Sequence, residues 1–222
     1  SAFVLLWDKH VPYTIDKLKQ VIKGSVELGH FLGAIEASIN LGRGLIFWGR
    51  DLKDLERGVD DLWQQIKTAY TIGHNEDTST KLLVATGMKK YVEALKDKNE
   101  LAYFLEIKKT ETLPYQLAHF SDLSVIRLSI LLLFNQFEKA VEQIRYMHKT
   151  YGHFFKIDYD SFRMSPAMLY SGLVGARVYG DNDADRQTKK QCLTWLKTAR
   201  KKFKKWAKIA PHNNEQQYYL IE

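Results

Sequence analysis

Apolar residues recur at steps of three and four along nearly the whole chain, and sustained alternation of apolar and polar residues is hard to find. The three- and four-residue step places apolar side chains on one face of an α-helix, whereas a half-buried strand needs a step of two. Proline occurs only four times in 222 residues, and no long glycine, serine or proline tract interrupts the pattern. The sequence therefore predicts an all-α fold.

Helix boundaries are clearest in the second half of the chain. Ser121 is the predicted N-cap of a helix that is apolar nearly all round, as buried helices are. Asn135, with Glu138 three positions later, predicts the start of the next helix through a pair that resembles a capping box. Gly152 predicts the end of that helix.

Two further helices are predicted after this point. Ser165 as the cap, Pro166 at the first helical position and Gly180 past the end delimit one of them. A long helix follows from about 184 to 209, and Pro211 stops it. Two consecutive helix pairs joined by short turns indicate a repeat architecture.

The first half shows the same periodicity less regularly, in residues 51–73 and 77–98. Small residues are frequent between Tyr13 and Trp48, although each isolated glycine costs a helix about 1 kcal/mol relative to alanine. We expect such glycines where neighbouring helices approach closely. Residues 97–120 contain a polar stretch and Pro114 around a short apolar run, which predicts an irregular connection.

Positive charge is concentrated in one segment. Residues 184–208 hold ten Lys or Arg and one acid, a net charge of +9, whereas the whole chain carries +7 and the remainder therefore −2. A general affinity for polyanions does not follow, because only this segment could supply it.

On a helical projection of 184–209, the large aromatic residues and the lysines lie on opposite sides. Trp195, Phe203 and Trp206 share the apolar arc. The opposite side carries the candidate partner-binding residues, which are Lys197, Lys201, Lys204, Lys205 and Lys208. The first interpretation is a helix that packs by its aromatic arc and leaves a solvated basic back.

Docking of a partner on this helix is the second interpretation. A protein with an acidic surface would suit the lysines, and a calmodulin-like partner would use Leu196, Phe203 and Ile209 as anchors. Nucleic-acid binding is less favoured, because a surface that binds bases needs aromatic side chains beside its charges.

No metal site is predicted. Asp181, Asp183 and Asp185 have the alternate spacing of a calcium loop, but its sixth position is Arg186 rather than Gly and its twelfth is Cys192 rather than Glu. The histidines are not clustered as zinc ligands would be. These residues are read as a polar turn and as structural histidines.

No catalytic or cofactor-binding residue is predicted either. Cys192 lies on the apolar arc, where a thiol is usually inert, and the sequence lacks a nucleophile elbow, a zincin pair and a kinase signature. The glycine-rich stretch 41–49 lacks the G-K-[ST] of a phosphate loop. The chain is therefore not predicted to be an enzyme.

One cysteine in 222 residues favours a reducing compartment, so a cytoplasmic location is expected. The longest apolar runs, such as 130–134, are far shorter than the roughly 20 residues that span a bilayer. Since the chain begins with Ser rather than Met, we expect it to be a fragment of a longer protein.

Two stretches resemble known families. "LLLFNQFEKAVEQI" resembles the junction of a tetratricopeptide repeat, with Phe137 and Ala140 in the aromatic-x-x-Ala step. The C-terminal stretch, with Trp206-Ala207, Ala210-Pro211, Asn213 and Glu222, is similar to the end of the helical region of large signalling proteins. Those proteins couple an AAA/STAND-type ATPase core to kinase, histidine-kinase or cyclase domains. The resemblance implies a tetratricopeptide-like helical region whose ATPase core would lie outside this chain.

We therefore expect one helical module over residues 1–222, built as a superhelix or bundle of antiparallel helix pairs. It would have two sub-bundles, 1–96 and the tetratricopeptide-like 121–222, joined by 97–120. The expected function is protein–protein interaction or scaffolding, with regulation of an attached signalling enzyme implied by the resemblance. Two alternatives stay open: nucleic-acid binding through 184–209, and a ligand-binding or catalytic domain with a pocket lined by Trp48, Trp63 and Tyr70.

Overall fold

The computed structural model of the chain describes residues 11–47, 51–72, 76–105, 117–156 and 164–222. Their helices are α1 (Val11–Glu27), α2 (Phe31–Phe47), α3 (Leu52–Ile72), α4 (Glu76–Lys96), α5 (Ala102–Leu105), α6 (Leu117–Leu133), α7 (Phe137–Lys156), α8 (Met164–Tyr179), α9 (Arg186–Ile209) and α10 (Pro211–Ile221), with a 3₁₀ turn at Lys98–Leu101. No strand occurs within these ranges. The prediction of an all-α fold is confirmed.

The contacts divide the chain into two compact units. Of the described residues, 11–126 belong to one unit and 127–222 to the other, so the division falls inside α6. The sub-bundles 1–96 and 121–222 stay a prediction. Among the described helices, none combines the length and the apolar character needed to cross a membrane.

In the first unit, consecutive helices form hairpins. Helix α1 packs on α2, α2 packs on α3 and α4, and α3 packs on α4. The α1–α2 turn depends on Gly29, whose φ of 69° is costly for any residue with a side chain. Gly29 N–H donates to Val26 O at 3.0 Å and His30 N–H donates to Ser25 O at 2.8 Å, the Schellman pattern that ends a helix.

Close helix approach is found at some of the glycines where it was expected. A Cβ on Gly42 would lie 2.6 Å from Met88 Sδ and 2.8 Å from Leu62 Cδ2, so α2 approaches α3 and α4 closely at this glycine. Gly24 has no such neighbour within 4 Å, and the expectation is wrong there. The α3 stripe is buried at Leu55, Val59, Leu62 and Ile66, as its periodicity predicts.

A buried ion pair joins α2 to α6. Arg43 Nε donates to Asp122 Oδ1 at 3.0 Å, and Arg43 Nη2 donates to Asp122 Oδ2. Both side chains are 1% exposed. Arg43 Nη1 also donates to Asn40 Oδ1. The pair connects residues 79 positions apart, so nothing local in the sequence indicates it.

Residues 98–105 are helical rather than irregular. Asp97 caps the 3₁₀ turn, since its side chain accepts a hydrogen bond from Asn99 N–H at 2.9 Å. Leu101 and Phe104 are buried, so this part of the connection belongs to the core. Pro114, the predicted breaker, lies outside the described residues.

Three predicted helix starts are wrong. Helix α8 begins at Met164, so Ser165 lies inside it and is not its N-cap. Helix α6 begins at Leu117, so Ser121 lies inside it and is not its N-cap. Asn135 has a φ of 57° and closes α6 instead of opening α7. Asn135 N–H donates to Leu132 O and Gln136 N–H donates to Leu131 O at 2.8 Å, the same Schellman pattern as at Gly29. Helix α7 begins two residues later, at Phe137.

In the second unit, α7 packs on α8, α8 on α9, and α10 on both α8 and α9. Gly152 does not end α7, which continues to Lys156. Gly180 follows the last residue of α8 as predicted. Pro211 ends α9 as predicted but also opens α10, which the sequence reading missed. Proline suits that first position because its absent N–H would have no partner there.

Candidate functional site

The candidate site lies on α9, which begins at a well-formed N-cap. The Asp185 carboxylate accepts hydrogen bonds from the backbone N–H groups of Gln187 and Thr188, both at 2.9 Å. Hydrogen bonds with Thr188, and then Gln187, lower the pKa of Asp185. Asp181 Oδ1 likewise accepts from Asp183 N–H. These carboxylates are thus occupied in shaping a turn, in agreement with the polar-loop interpretation.

Two glycines of α8 allow α9 to lie against it. A Cβ on Gly175 would come within 2.6 Å of Cys192 O and 3.3 Å of Leu196 N, both of them backbone atoms. A Cβ on Gly172 would lie 2.8 Å from Ala199 Cβ. Since backbone cannot move aside cheaply, these glycines fix which face of α9 is buried.

The apolar arc of α9 is packed as its periodicity predicts. Phe203 and Trp206 are buried, with ring centroids 5.0 Å apart in an edge-to-face arrangement. Trp195 is only half-buried and stacks on His148 of α7, with ring centroids 5.9 Å apart. Burial lowers the pKa of His148. Of the three expected buried aromatic residues, two are fully buried and one is partly so.

All five candidate partner-binding residues are exposed: Lys197, Lys201, Lys204, Lys205 and Lys208. We call these five lysines the basic face. Helix α9 contains no acidic residue. At the border of the basic face, Arg200 lies 3.8 Å from the carboxylate of Glu222, the residue after α10. The structure thus presents the lysines together on one side of α9, and their role in binding stays a prediction.

One of the three anchors predicted for a calmodulin-like partner is not accessible on this surface. Phe203 is fully buried and Leu196 is half-buried, while Ile209 is 54% exposed. A partner that needs all three residues would have to unseat α9 from its own fold. The same burial of Phe203 and Trp206 removes these two rings from any surface that could stack on bases.

The proposed aromatic pocket is described only at Trp63. Trp48 and the side chain of Tyr70 lie outside the described residues. Trp63 Nε1 donates weakly to Thr86 Oγ1 at 3.4 Å, and the ammonium groups of Lys67 and Lys89 lie 4.8 and 4.9 Å from its ring centroid. Trp63 is therefore occupied by cation–π contacts on the helix surface.

Cys192 is fully buried, and burial raises the pKa of its thiol. A thiol in this state is a poor nucleophile and a poor metal ligand. Within the described ranges, no group of three or more His, Cys, Asp or Glu side chains is placed to hold a metal ion.

Besides α10, two features of the structure were not predicted from the sequence. One is the buried pair of Arg43 and Asp122, and the other is a groove between α1 and α3, described below. No protein-family profile matches this chain, and no curated protein and no solved structure matches it significantly.

Proposed function

We propose that this chain is a helical protein-interaction module whose basic face docks on an acidic surface of a partner protein. The observation that carries the proposal is the exposure of all five lysines on one side of a helix whose large rings face inward. Aromatic burial leaves a surface made for charge recognition rather than for apolar or base-stacking contact.

The spacing of the lysines supports a partner of opposite charge. Lys197 and Lys201, Lys201 and Lys205, and Lys204 and Lys208 are each four residues apart. Like charges at this spacing destabilise a helix by about 0.2–0.5 kcal/mol per pair. Because α9 contains no acidic residue, a carboxylate-rich partner would place opposite charge beside the row of lysines.

The resemblance described above suggests where such a module would work. Within a larger signalling protein, a tetratricopeptide-like region would scaffold or regulate an enzyme elsewhere in the molecule. That part of the proposal rests on the resemblance alone, whereas the docking surface rests on the placement of the lysines.

The test is a matched pair of charge-reversed variants. Lys201→Glu, Lys204→Glu and Lys205→Glu together reverse the basic face. Lys53→Glu, Lys98→Glu and Lys149→Glu change net charge equally, at exposed positions outside α9. Partners captured from the source cell are identified, and the purified partner is then titrated with each variant at low and physiological salt.

We expect the α9 variant to bind at least about tenfold more weakly and to lose most of the salt dependence, while the control variant keeps both. Equal binding by the two variants would contradict the proposal. Duplex DNA or RNA retained by the wild type in place of any protein, and released by the α9 variant, would make nucleic acid the partner.

A further inference from the structure

A groove of about 780 Å³ opens between α1 and α3, with α2 as its floor. Both walls pack on α2, which lies antiparallel to each of them, so the two walls run parallel. The apolar residues that line the groove are Ile15, Ile22, Val26, Leu41, Leu45 and Leu62. This groove belongs to the first unit and has no part in the basic face.

The polar residues on the two walls repeat at the same intervals. Asp16, Lys19, Lys23 and Glu27 follow one another along α1 at steps of three, four and four, and Asp54, Arg57, Asp61 and Gln65 do so along α3. Each set forms one straight ridge on its helix. The ridges are about 16 Å long, which is three turns of a helix lying between them.

The floor of the groove is apolar and offers little to a small polar ligand. Ser38, its most buried polar side chain, already donates a hydrogen bond to Gln65 Oε1 at 2.9 Å. Small-molecule sites usually aim several unsatisfied polar groups at the ligand. Here, by contrast, the uncovered lining side chains on the α1 wall include apolar ones. Val26 is 49% exposed and Ile22 is partly exposed, above a floor whose Leu41 and Leu45 are buried.

The two walls differ in the charges that they leave available. On α3, Arg57 is bound to Asp54 at 2.7 Å, and Asp61 is exposed with no ion-pair partner among the described residues. On α1, Lys23 is held loosely by Glu27 at 3.9 Å, and the exposed Lys19 forms no ion pair within the described part of the chain. The middle of the α1 wall is therefore basic, and the middle of the α3 wall is acidic.

We propose that this groove binds one amphipathic α-helix of a protein partner, with acidic residues on the flank facing Lys19 and Lys23 and a basic residue facing Asp61. A helix seated here would pack between the two walls and cover the apolar side chains of Val26 and Ile22 on α1. Its acidic flank would face the basic α1 wall and its basic flank the acidic α3 wall. A helix of uniform charge would complement only one of the two walls.

Three fluorescent probe peptides test the proposal. Each is a stapled helix of about 15 residues, long enough to span the groove, with leucines on one stripe. They differ in the flanks: one has Glu on one flank and Lys on the other, one has Glu on both, and one has Lys on both. Fluorescence polarisation with the full chain measures their affinities.

We expect the mixed-charge probe to bind most tightly. Val26→Asp should weaken it at least about tenfold, whereas the matched control Val21→Asp, on the same helix, 51% exposed and outside the groove lining, should leave it unchanged. The double variant Lys19→Glu and Lys23→Glu makes both walls acidic and should shift the preference to the all-Lys probe. Reversal of the basic face on α9 should change none of these affinities.

Three outcomes would overturn the proposal. One is the absence of saturable binding for every probe, and another is equal loss with Val21→Asp and Val26→Asp, which would indicate general adhesion. The third is self-association of the chain that Val26→Asp abolishes, because the occupant would then be a second copy. Melting curves of both valine variants exclude unfolding as the cause.

Discussion

Arg43 in the first unit and the five lysines of α9 in the second are all cations, yet Arg43 is buried and the lysines are exposed. Arg43 is 1% exposed and holds the Asp122 carboxylate through two hydrogen bonds. The five lysines of the basic face are exposed, on a helix without any acid. The difference teaches that charge alone does not predict whether a residue is exposed. Exposure becomes predictable when the apolar residues of the same helix already define its buried side.

The contrast has an energetic side. A buried charge that loses its partner keeps the full cost of desolvation, whereas an exposed charge is solvated in any case. Stability should therefore depend strongly on the buried pair of Arg43 and Asp122 in the first unit and weakly on the row of exposed lysines in the second. Three predictions examine this, from the largest expected effect to the smallest.

The largest effect is expected at the buried pair. Asp122→Asn should lower the free energy of unfolding by about 3–5 kcal/mol, because it leaves the Arg43 charge buried without a counter-ion. Denaturant titration measures the change. The control Asp54→Asn removes the exposed partner of Arg57 and should cost under about 1 kcal/mol.

Replacement of both partners separates the loss of the pair from the burial of an orphaned charge. Arg43→Met combined with Asp122→Leu should recover most of the stability, since two apolar side chains of similar size carry no desolvation cost. Equal losses for Asp122→Asn and Asp54→Asn would show that burial does not distinguish the two cations.

The second effect on stability concerns the close contact between Gly175 of α8 and the backbone of α9. Gly175→Ala should lower the free energy of unfolding by about 1–3 kcal/mol, because the new methyl group would press on the backbone at Cys192 and Leu196. Gly152→Ala is the matched control in the same unit, where a Cβ meets nothing within 4 Å. It should stabilise α7 by about 0.5–1 kcal/mol through helix propensity.

Thermal melts of both glycine variants check this expectation. A change in melting temperature of the same sign in both variants would mean that α8 and α9 do not approach closely. The lysines would then owe their exposure to something other than the glycine contact.

The smallest expected effect is a pH dependence of the free energy of unfolding. It arises from His148 of α7, which stacks on Trp195 of α9. Burial lowers the pKa of His148 in the folded chain, so the unfolded chain takes up a proton first as the pH falls. The free energy of unfolding should thus decrease as the pH drops below about 6.5, until His148 is protonated in the folded state as well.

Comparison of melts at neutral and mildly acidic pH for the wild type and His148→Gln tests this. The variant should lose that part of the pH dependence. An unchanged dependence would show that charge is tolerated on the buried side of α9 as it is on the basic face.

Prediction from the sequence succeeded where side-chain character repeats along one helix. The apolar arc of α9 and the stripe of α3 both appear in the sequence as steps of three and four. Most of their residues are buried, whereas Trp195 is half-buried and Leu52 is 38% exposed. The basic face followed, since a helix with one side committed to the core must turn the other side to solvent. Its exposure was therefore predictable, but its binding role was not.

Helix ends were predicted less well, because one residue type serves several turn geometries. Asn135 has the composition of an N-cap, but its left-handed φ makes it the close of the preceding helix. Gly152 has the composition of a C-cap, yet the helix continues through it. The backbone conformation that decides between these roles depends on how the adjoining helices pack.

What the sequence by itself determined is the helical class, the buried arc of α9 and the lysines behind it, since these depend on spacing within single helices. Only the tertiary structure decided that Arg43 meets Asp122, that Gly175 lies on the backbone of Cys192, and that α1 and α3 leave a groove between them. Each of these joins residues far apart in the chain, and local periodicity carries no information about which distant side chain will fill the space beside it.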